Sequence, residues 1–305
     1  MKCKICFLLL LILIPAILIS GSNPESNLTA KLNDLVKDFR GDVGIYVHNL
    51  KSGETVEINA DSLFPTASMI KVTIMLKIFD MIEHNEIAYD SNLTWYADSI
   101  NYPYDYGILA SFQDGKTIHL DEVVSLMITY SDNHAALWCQ KLAGGAHINE
   151  WLDHNGFKNT RVNSRTEGRQ TDWEKYGWGQ TTPREMSGLL VLIREGKAIS
   201  AAASEEMYRV LTRPYWDDTA LSQIPPYIQV ACKNGAVDES RSEALLVNAP
   251  SGDYVFCVIT NNQQDTSWGY DNEGFVLIRN VSRLLWEHFE SDYKWSPAKG
   301  SEKYR

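Results

Sequence analysis

The stretch Thr66-Ala67-Ser68-Met69-Ile70-Lys71-Val72-Thr73-Ile74-Met75-Leu76-Lys77-Ile78-Phe79 decides how this chain is read. From residue 69 to residue 82 apolar side chains fall on every side of a helix, which predicts a buried central helix, not a surface one. Pro65 and Thr66 are start signals immediately before it. Ser68 and Lys71 stand three apart at the mouth of that helix, so the lysine lies one turn along on the serine's face. A serine hydroxyl is a weak nucleophile until a base takes its proton, and a partly desolvated lysine of lowered pKa can be that base without a histidine. Free N–H groups at the helix start favour negative charge developing on a substrate. The spacing alone decides nothing, because Ser291 with Lys294 and Ser296 with Lys299 repeat it in the polar C-terminal tail. Those two pairs have no apolar helix to hold them and are set aside.

Outward from this helix, residues 43–49 and 55–59 read as two strands joined across Lys51-Ser52-Gly53, and residues 26–40 as a surface helix before them. Between about residues 85 and 200 the pattern is helical and loop-rich, clearest at 120–130, 134–142, 148–152 and 184–194, and no strand pattern interrupts it. From residue 205 come a short helix, strands at 227–232, 243–247 and 254–260, and a long amphipathic helix at 275–289. Two strands from the start and three from the end predict one sheet built from both chain ends with helices packed on it. The helical middle is then an inserted subdomain. The expected division is a sheet part of about 23–64 and 205–305 and a helical part of about 65–204, with the cleft between them a favoured small-molecule site.

Composition bounds the function. The 305 residues are 44% hydrophobic and 22% charged, a globular balance without internal repeats. The net charge of −11 comes with no Lys/Arg cluster, which argues against nucleic acid and anionic lipid as partners. Residues 1–22 read as a secretory signal: Lys2 and Lys4, an apolar run over 7–19 that Pro15 interrupts, then Ser20-Gly21-Ser22 for cleavage. That run is short of the roughly 17–25 residues a membrane span needs, so no stable anchor is expected and the protein is read as exported, periplasmic or extracellular. Cys3 and Cys6 leave with the signal. Cys139, Cys232 and Cys257 remain, an odd number in apolar surroundings, and read as buried structural thiols.

There is no Gly-x-Ser-x-Gly elbow, His-Glu-x-x-His helix or phosphate-binding Gly-rich loop, and the seven histidines are scattered. No metal and no cofactor is implied, and a monomer is the default reading.

Two further elements follow Ser68 and Lys71 in order: Ser131-Asp132-Asn133 between two predicted helices, and Lys233-Asn234-Gly235 at the end of the strand 227–232. Here the chain resembles the penicillin-recognising serine hydrolases, whose signature is Ser-x-x-Lys, Ser-Asp-Asn, then Lys-Thr/Ser-Gly, and among them the class A β-lactamases. Gly107-Ile108-Leu109, Leu126-Met127-Ile128 and Thr181-Thr182-Pro183 fit the same pattern. The resemblance implies an α+β fold with a five-stranded antiparallel sheet. It implies Ser68 as the acylated nucleophile, Lys71 as its base or relay, Ser131 as proton shuttle to the leaving nitrogen and Lys233 as electrostatic partner of Ser131. It also implies Asn133 on the substrate amide, an oxyanion hole from the backbone N–H groups of Ser68 and Ala236, and Lys233 with Arg241 on a substrate carboxylate. Asn234 stands where Thr or Ser is usual and Gly235 completes the third motif; an amide can still donate the carboxylate bond.

Release of the acyl group needs a base for water. Arg165-Thr166-Glu167 matches the family's Arg-x-Glu, 36 residues from Ser131 to Glu167 and 16 on to Pro183, and makes Glu167 the candidate. The chain then departs: Thr171 replaces the water-holding Asn, Gly179-Gln180 replaces the Asp expected to pair with Arg165, and Trp173, Tyr176 and Trp178 make the loop aromatic. The expected activity is β-lactam hydrolysis through an acyl-enzyme on Ser68. Alternatives in the same fold are a D-Ala-D-Ala peptidase or small-ester hydrolase, and a β-lactam binder or sensor without turnover.

Overall fold

The computed structural model describes residues 24–104 and 107–304; the signal segment proposed for residues 1–22, with Cys3 and Cys6, lies outside them. In chain order the elements are α1 (Pro24–Val36), β1 (Asp42–Asn49), β2 (Thr55–Ile58), β3 (Phe64–Pro65), α2 (Lys71–Glu83), β4 (Asn92–Thr94), α3 (Ala97–Ile100), β5 (Thr117–His119), α4 (Leu120–Thr129) and α5 (Asn133–Ala143). They continue as α6 (Gly145–His154), β6 (Arg161–Val162), α7 (Gln170–Tyr176), β7 (Gly179–Thr181), α8 (Pro183–Arg194), α9 (Ala201–Leu211), β8 (Val230–Val237), β9 (Ser240–Val247), β10 (Tyr254–Asn261) and α10 (Glu273–Phe289).

The main sheet has the order β2-β1-β10-β9-β8, all neighbours antiparallel, so both chain ends build it as expected. Alternation along its strands splits the core in two. Leu245, Val247, Phe256 and Val258 pack under α1 and α10 with Leu28, Leu32, Leu277 and Leu285. Ala244, Leu246, Val255, Cys257 and Ile259 face the helical part, where α2, α4, α5, α6, α8 and α9 supply the rest of a larger core. Residues 72–76 of α2 are all buried, the central helix the apolar pattern predicts. Thr182 caps α8 by accepting the Glu185 N–H, with Pro183 in the first turn.

Two expectations need correcting. The helical part is interrupted by strands: β3-β7-β6 and β4-β5 form small antiparallel sheets of two- and three-residue strands, too short to leave a period in the sequence. The strand expected at 227–232 instead runs over Val230–Val237, so Lys233-Asn234-Gly235 lies within β8 and not at its end. Cys139, Cys232 and Cys257 are buried free thiols, as expected. Among the described residues no helix is long and apolar enough to cross a membrane.

Candidate active site

Three elements meet at the cleft. Ser68 lies in a 3-10 turn, Ala67–Ile70, that runs into α2, and Ala67 before it has a φ of 43°. That left-handed residue, uncommon outside glycine, turns the chain so that Ser68 opens onto the cleft. The cleft encloses about 560 Å³ and is lined by Ser68, Asn133 and Ala236 together with Tyr102, Tyr104, Tyr176, Trp178 and Trp268. β8 forms its other wall. A Cβ on Gly235 would stand 2.6 Å from the Thr66 carbonyl oxygen and 2.8 Å from the Ser68 nitrogen, so only glycine lets this strand lie against the turn that carries Ser68.

Lys71 is completely buried. Its Nζ donates to the Ser131 carbonyl at 2.7 Å, to Ser131 Oγ at 3.1 Å and to Asn133 Oδ1 at 2.7 Å. From the other side Lys233 Nζ donates to the same Ser131 Oγ at 3.0 Å and to the carbonyl and Oδ1 of Asn234 at 2.8 and 3.0 Å. Both ammonium groups thus converge on one hydroxyl. Burial, then the nearby Lys233 charge, hold Lys71 well below the ordinary lysine range, and burial lowers Lys233 to about 8. A lysine whose ammonium burial destabilises gives up its proton more readily and can then accept another, and a charged lysine beside it can steady a hydroxyl that passes that proton on.

Ser131 itself has a φ of 60°, a conformation the structure holds from both sides. Asp132 is the clamp. Its Oδ1 accepts the Ala135 N–H at the start of α5 and its Oδ2 accepts the Leu109 N–H, both at 3.0 Å. A Cβ on Gly107, at φ 125°, would come within 2.8 Å of that same Oδ2. Asn133 continues the wall by donating through Nδ2 to Tyr102 Oη at 3.0 Å.

The structure brings Ser68, Lys71, Ser131, Asn133, Lys233, Asn234, Gly235 and Ala236 together, and separates two other candidates from them. Arg241 does not face the cleft. It pairs with Ala236 on the opposite face of β9 from Ser242, and its guanidinium sits over Trp268 and Phe275 while donating to the carbonyls of Val237, Ser240 and Ser267. A strand alternates faces with every residue, so the position toward the Ser68 turn belongs to Ser242, whose Oγ donates to the Gly235 carbonyl at 3.1 Å.

Glu167 is exposed and lines a neighbouring cavity of about 710 Å³ with Asn163, Arg165, Thr166 and Trp173, not the one that holds Ser68. The loop takes this path because its clasp differs. Arg165 donates to the Asn101 carbonyl at 2.9 Å, its one hydrogen-bond acceptor among the described residues. Arg169, which the sequence did not single out, ties the two ends of the loop, donating to Asn163 Oδ1 at 2.8 Å and Gln180 Oε1 at 2.9 Å. Gln180 in place of an acid was the one signal that the clasp had moved. Among the described residues no group of three or more His, Cys, Asp or Glu side chains is placed to hold a metal.

An antiparallel sheet at the edge of a helical subdomain, with a serine, two buried lysines and a shared hydroxyl at the junction, defines a serine hydrolase of the β-lactamase type. The chain belongs to the Beta-lactamase enzyme family, whose sequence model matches residues 27–289. It is 22% identical over 297 residues to β-lactamase VEB-1 of Pseudomonas aeruginosa, covering 94% of this chain and 98% of that one. To β-lactamase CARB-4 of the same organism it is 24% identical over 288 residues, covering 92% and 96%. Among solved structures, a mutant of PBP-A in acyl-enzyme complex with penicillin G superposes with a TM-score of 0.77 at 26% identity, over 87% of this chain and 97% of that one. A class A β-lactamase from Bacteroides cellulosilyticus gives 0.78 at 22% identity, over 89% and 100%.

Proposed function

We propose that this protein hydrolyses β-lactams through an acyl-enzyme on Ser68 and works outside the cytoplasm, exported by its N-terminal segment. One observation carries the reading: two buried lysines of lowered pKa hold a single serine hydroxyl between them, beside a nucleophile at a helix start. Neutral Lys71 takes the Ser68 proton as Oγ bonds to the lactam carbonyl carbon. The C–N bond then breaks, and the proton passes through Ser131 to the leaving nitrogen, with Lys233 steadying the Ser131 hydroxyl. The oxyanion is received by the N–H groups of Ser68 and Ala236, and Asn234 and Lys233 receive the substrate carboxylate in place of Arg241. Lys71 is then neutral again. Water attacks the ester carbon, its proton goes to Lys71, and the C–Oγ bond breaks with return of that proton to Ser68. The relatives named β-lactamase support this activity.

A second reading is favoured by the position of Glu167, which borders a different cavity from Ser68. A D-Ala-D-Ala peptidase or esterase that releases β-lactams slowly needs no such carboxylate. Intact mass of the protein followed over time after adding a penicillin separates the two, with Ser68→Ala as control. An adduct on the parent that forms and clears while the drug is consumed supports the β-lactamase. A persistent adduct moves the assignment to the peptidase or to a binder. A Ser68→Ala protein that still consumes the drug overturns both.

A further inference from the structure

Trp178 occupies the position between the two cavities. It lines both the Ser68 cleft and the cavity that Glu167 borders, whereas Glu167 lines only the second. Its ring centroid lies 5.8 Å from Lys71 Nζ, which also donates to Ser131 and Asn133. It meets Tyr102 edge to face at 5.8 Å, and Tyr102 in turn accepts the Asn133 amide. Trp178, Tyr102 and the Asn133 amide are thus linked in a chain of contacts that begins and ends at Lys71.

The backbone fixes this chain of contacts to the loop behind it. The Trp178 carbonyl accepts the N–H groups of Asn163 and Ser164 at 2.9 and 3.1 Å, which pins the start of the loop that carries Glu167. Gly177, at φ 66°, ends α7 and turns the chain so that the indole points inward. One residue therefore positions the loop through its backbone and closes the lysine through its ring.

We propose that Trp178 is a positioning residue that lengthens the life of the acyl-enzyme, by slowing the approach of water to Lys71 and holding the Glu167 carboxylate in the neighbouring cavity after acylation. The proposal rests on the reading that Ser68 is acylated. An apolar ring over an amine keeps it desolvated, which favours the neutral base that acylation needs. The same ring crowds the space beside that base, so the water that Lys71 activates for release arrives slowly. Acylation and release are thus set against each other by one side chain.

The test is the intact-mass time course with a penicillin on the parent, Trp178→Ala and Trp178→Phe, together with acylation rate against pH. Each variant is first melted to establish that it folds. The expected result is that the Trp178→Ala adduct clears at least tenfold faster than the parent's. Its acylation should be slower at neutral pH, with the rising limb moved to higher pH because water now solvates the Lys71 ammonium. Trp178→Phe, which keeps a ring over the lysine, should restore both. If Trp178→Ala does not fold, Trp178→Leu takes its place, with the same direction expected. Clearance at the parent rate with an unmoved limb overturns the role of Trp178 while leaving acylation intact. A parent that forms no adduct and leaves the penicillin unconsumed overturns the acylation reading beneath it, whereas one that consumes the drug without a visible adduct overturns the long-lived acyl-enzyme alone.

Discussion

Lys71 and Lys233 reach one hydroxyl from two sides, and burial lowers the pKa of both. Burial brings Lys233 down to about 8, so it is mostly charged at neutral pH and loses its proton just above it. If the charge on Lys233 assists proton transfer through Ser131, acylation by a chromogenic β-lactam falls as pH rises through about 8. Lys233→Arg should be slower at pH 7, because a planar guanidinium fits the pocket poorly, yet its falling limb should move upward, because arginine stays protonated. A falling limb left near 8 in that variant would assign it to another group. These side chains were legible in the sequence because the order of three motifs marks both lysines, and the structure gathers them on Ser131 Oγ. Arg241 was not, because one residue of register in a short hairpin decides which face of β9 it takes. Glu167 was matched by its offset from Ser131, but the path of its loop depends on Arg169, Asn163 and Gln180, which meet only in three dimensions.

The strand on the cleft side, β8, contains residues that normally break strands. Asn and Gly in Lys233-Asn234-Gly235 read as the end of a strand, yet they lie inside β8, where the close approach to the Ser68 turn requires a residue without a Cβ at Gly235. The long helices and core strands were visible from periodicity. α7, with no buried residue, and the short strands had none to show. β9 holds a second unusual group. Glu243, opposite Asn234, accepts from Thr219 Oγ1 and from the Ala220 N–H through one oxygen, which fastens the 3-10 turn Ala220–Gln223 to the sheet. Its other oxygen has no partner among the described residues, and burial lifts the acid to about 7. The native state therefore keeps a proton between about pH 4.5 and 7 that the unfolded chain has lost, so this contribution to stability is full at low pH and disappears as pH rises through 7. Glu243→Gln keeps the accepting oxygen and removes the charge. It should raise the melting temperature at pH 7.5, by a linkage effect of up to about 3 kcal/mol, and change it little at pH 4.5. Equal shifts at both pH values would show that the charge does not matter.

On the scale of the molecule, one sheet serves two cores, and the candidate active site lies where the larger core meets the sheet's free edge at β8. That arrangement was predictable from two strands at one end of the chain and three at the other, since the helical middle had to be inserted between them. The three thiols sample both layers: Cys139 and Cys257 lie in the core shared with the helices, and Cys232 lies on the α1 and α10 side. Burial raises all three, Cys139 to about 12, so the folded protein holds them as unreactive thiols. They are in effect three internal clocks that start only when their layer opens. Because the same strands close both layers, alkylation in mild denaturant, read by peptide mass, should mark all three at a single rate; a Cys139 labelled ahead of Cys232 would reveal that the helical half lets go first, and that the catalytic cleft is lost before the sheet is.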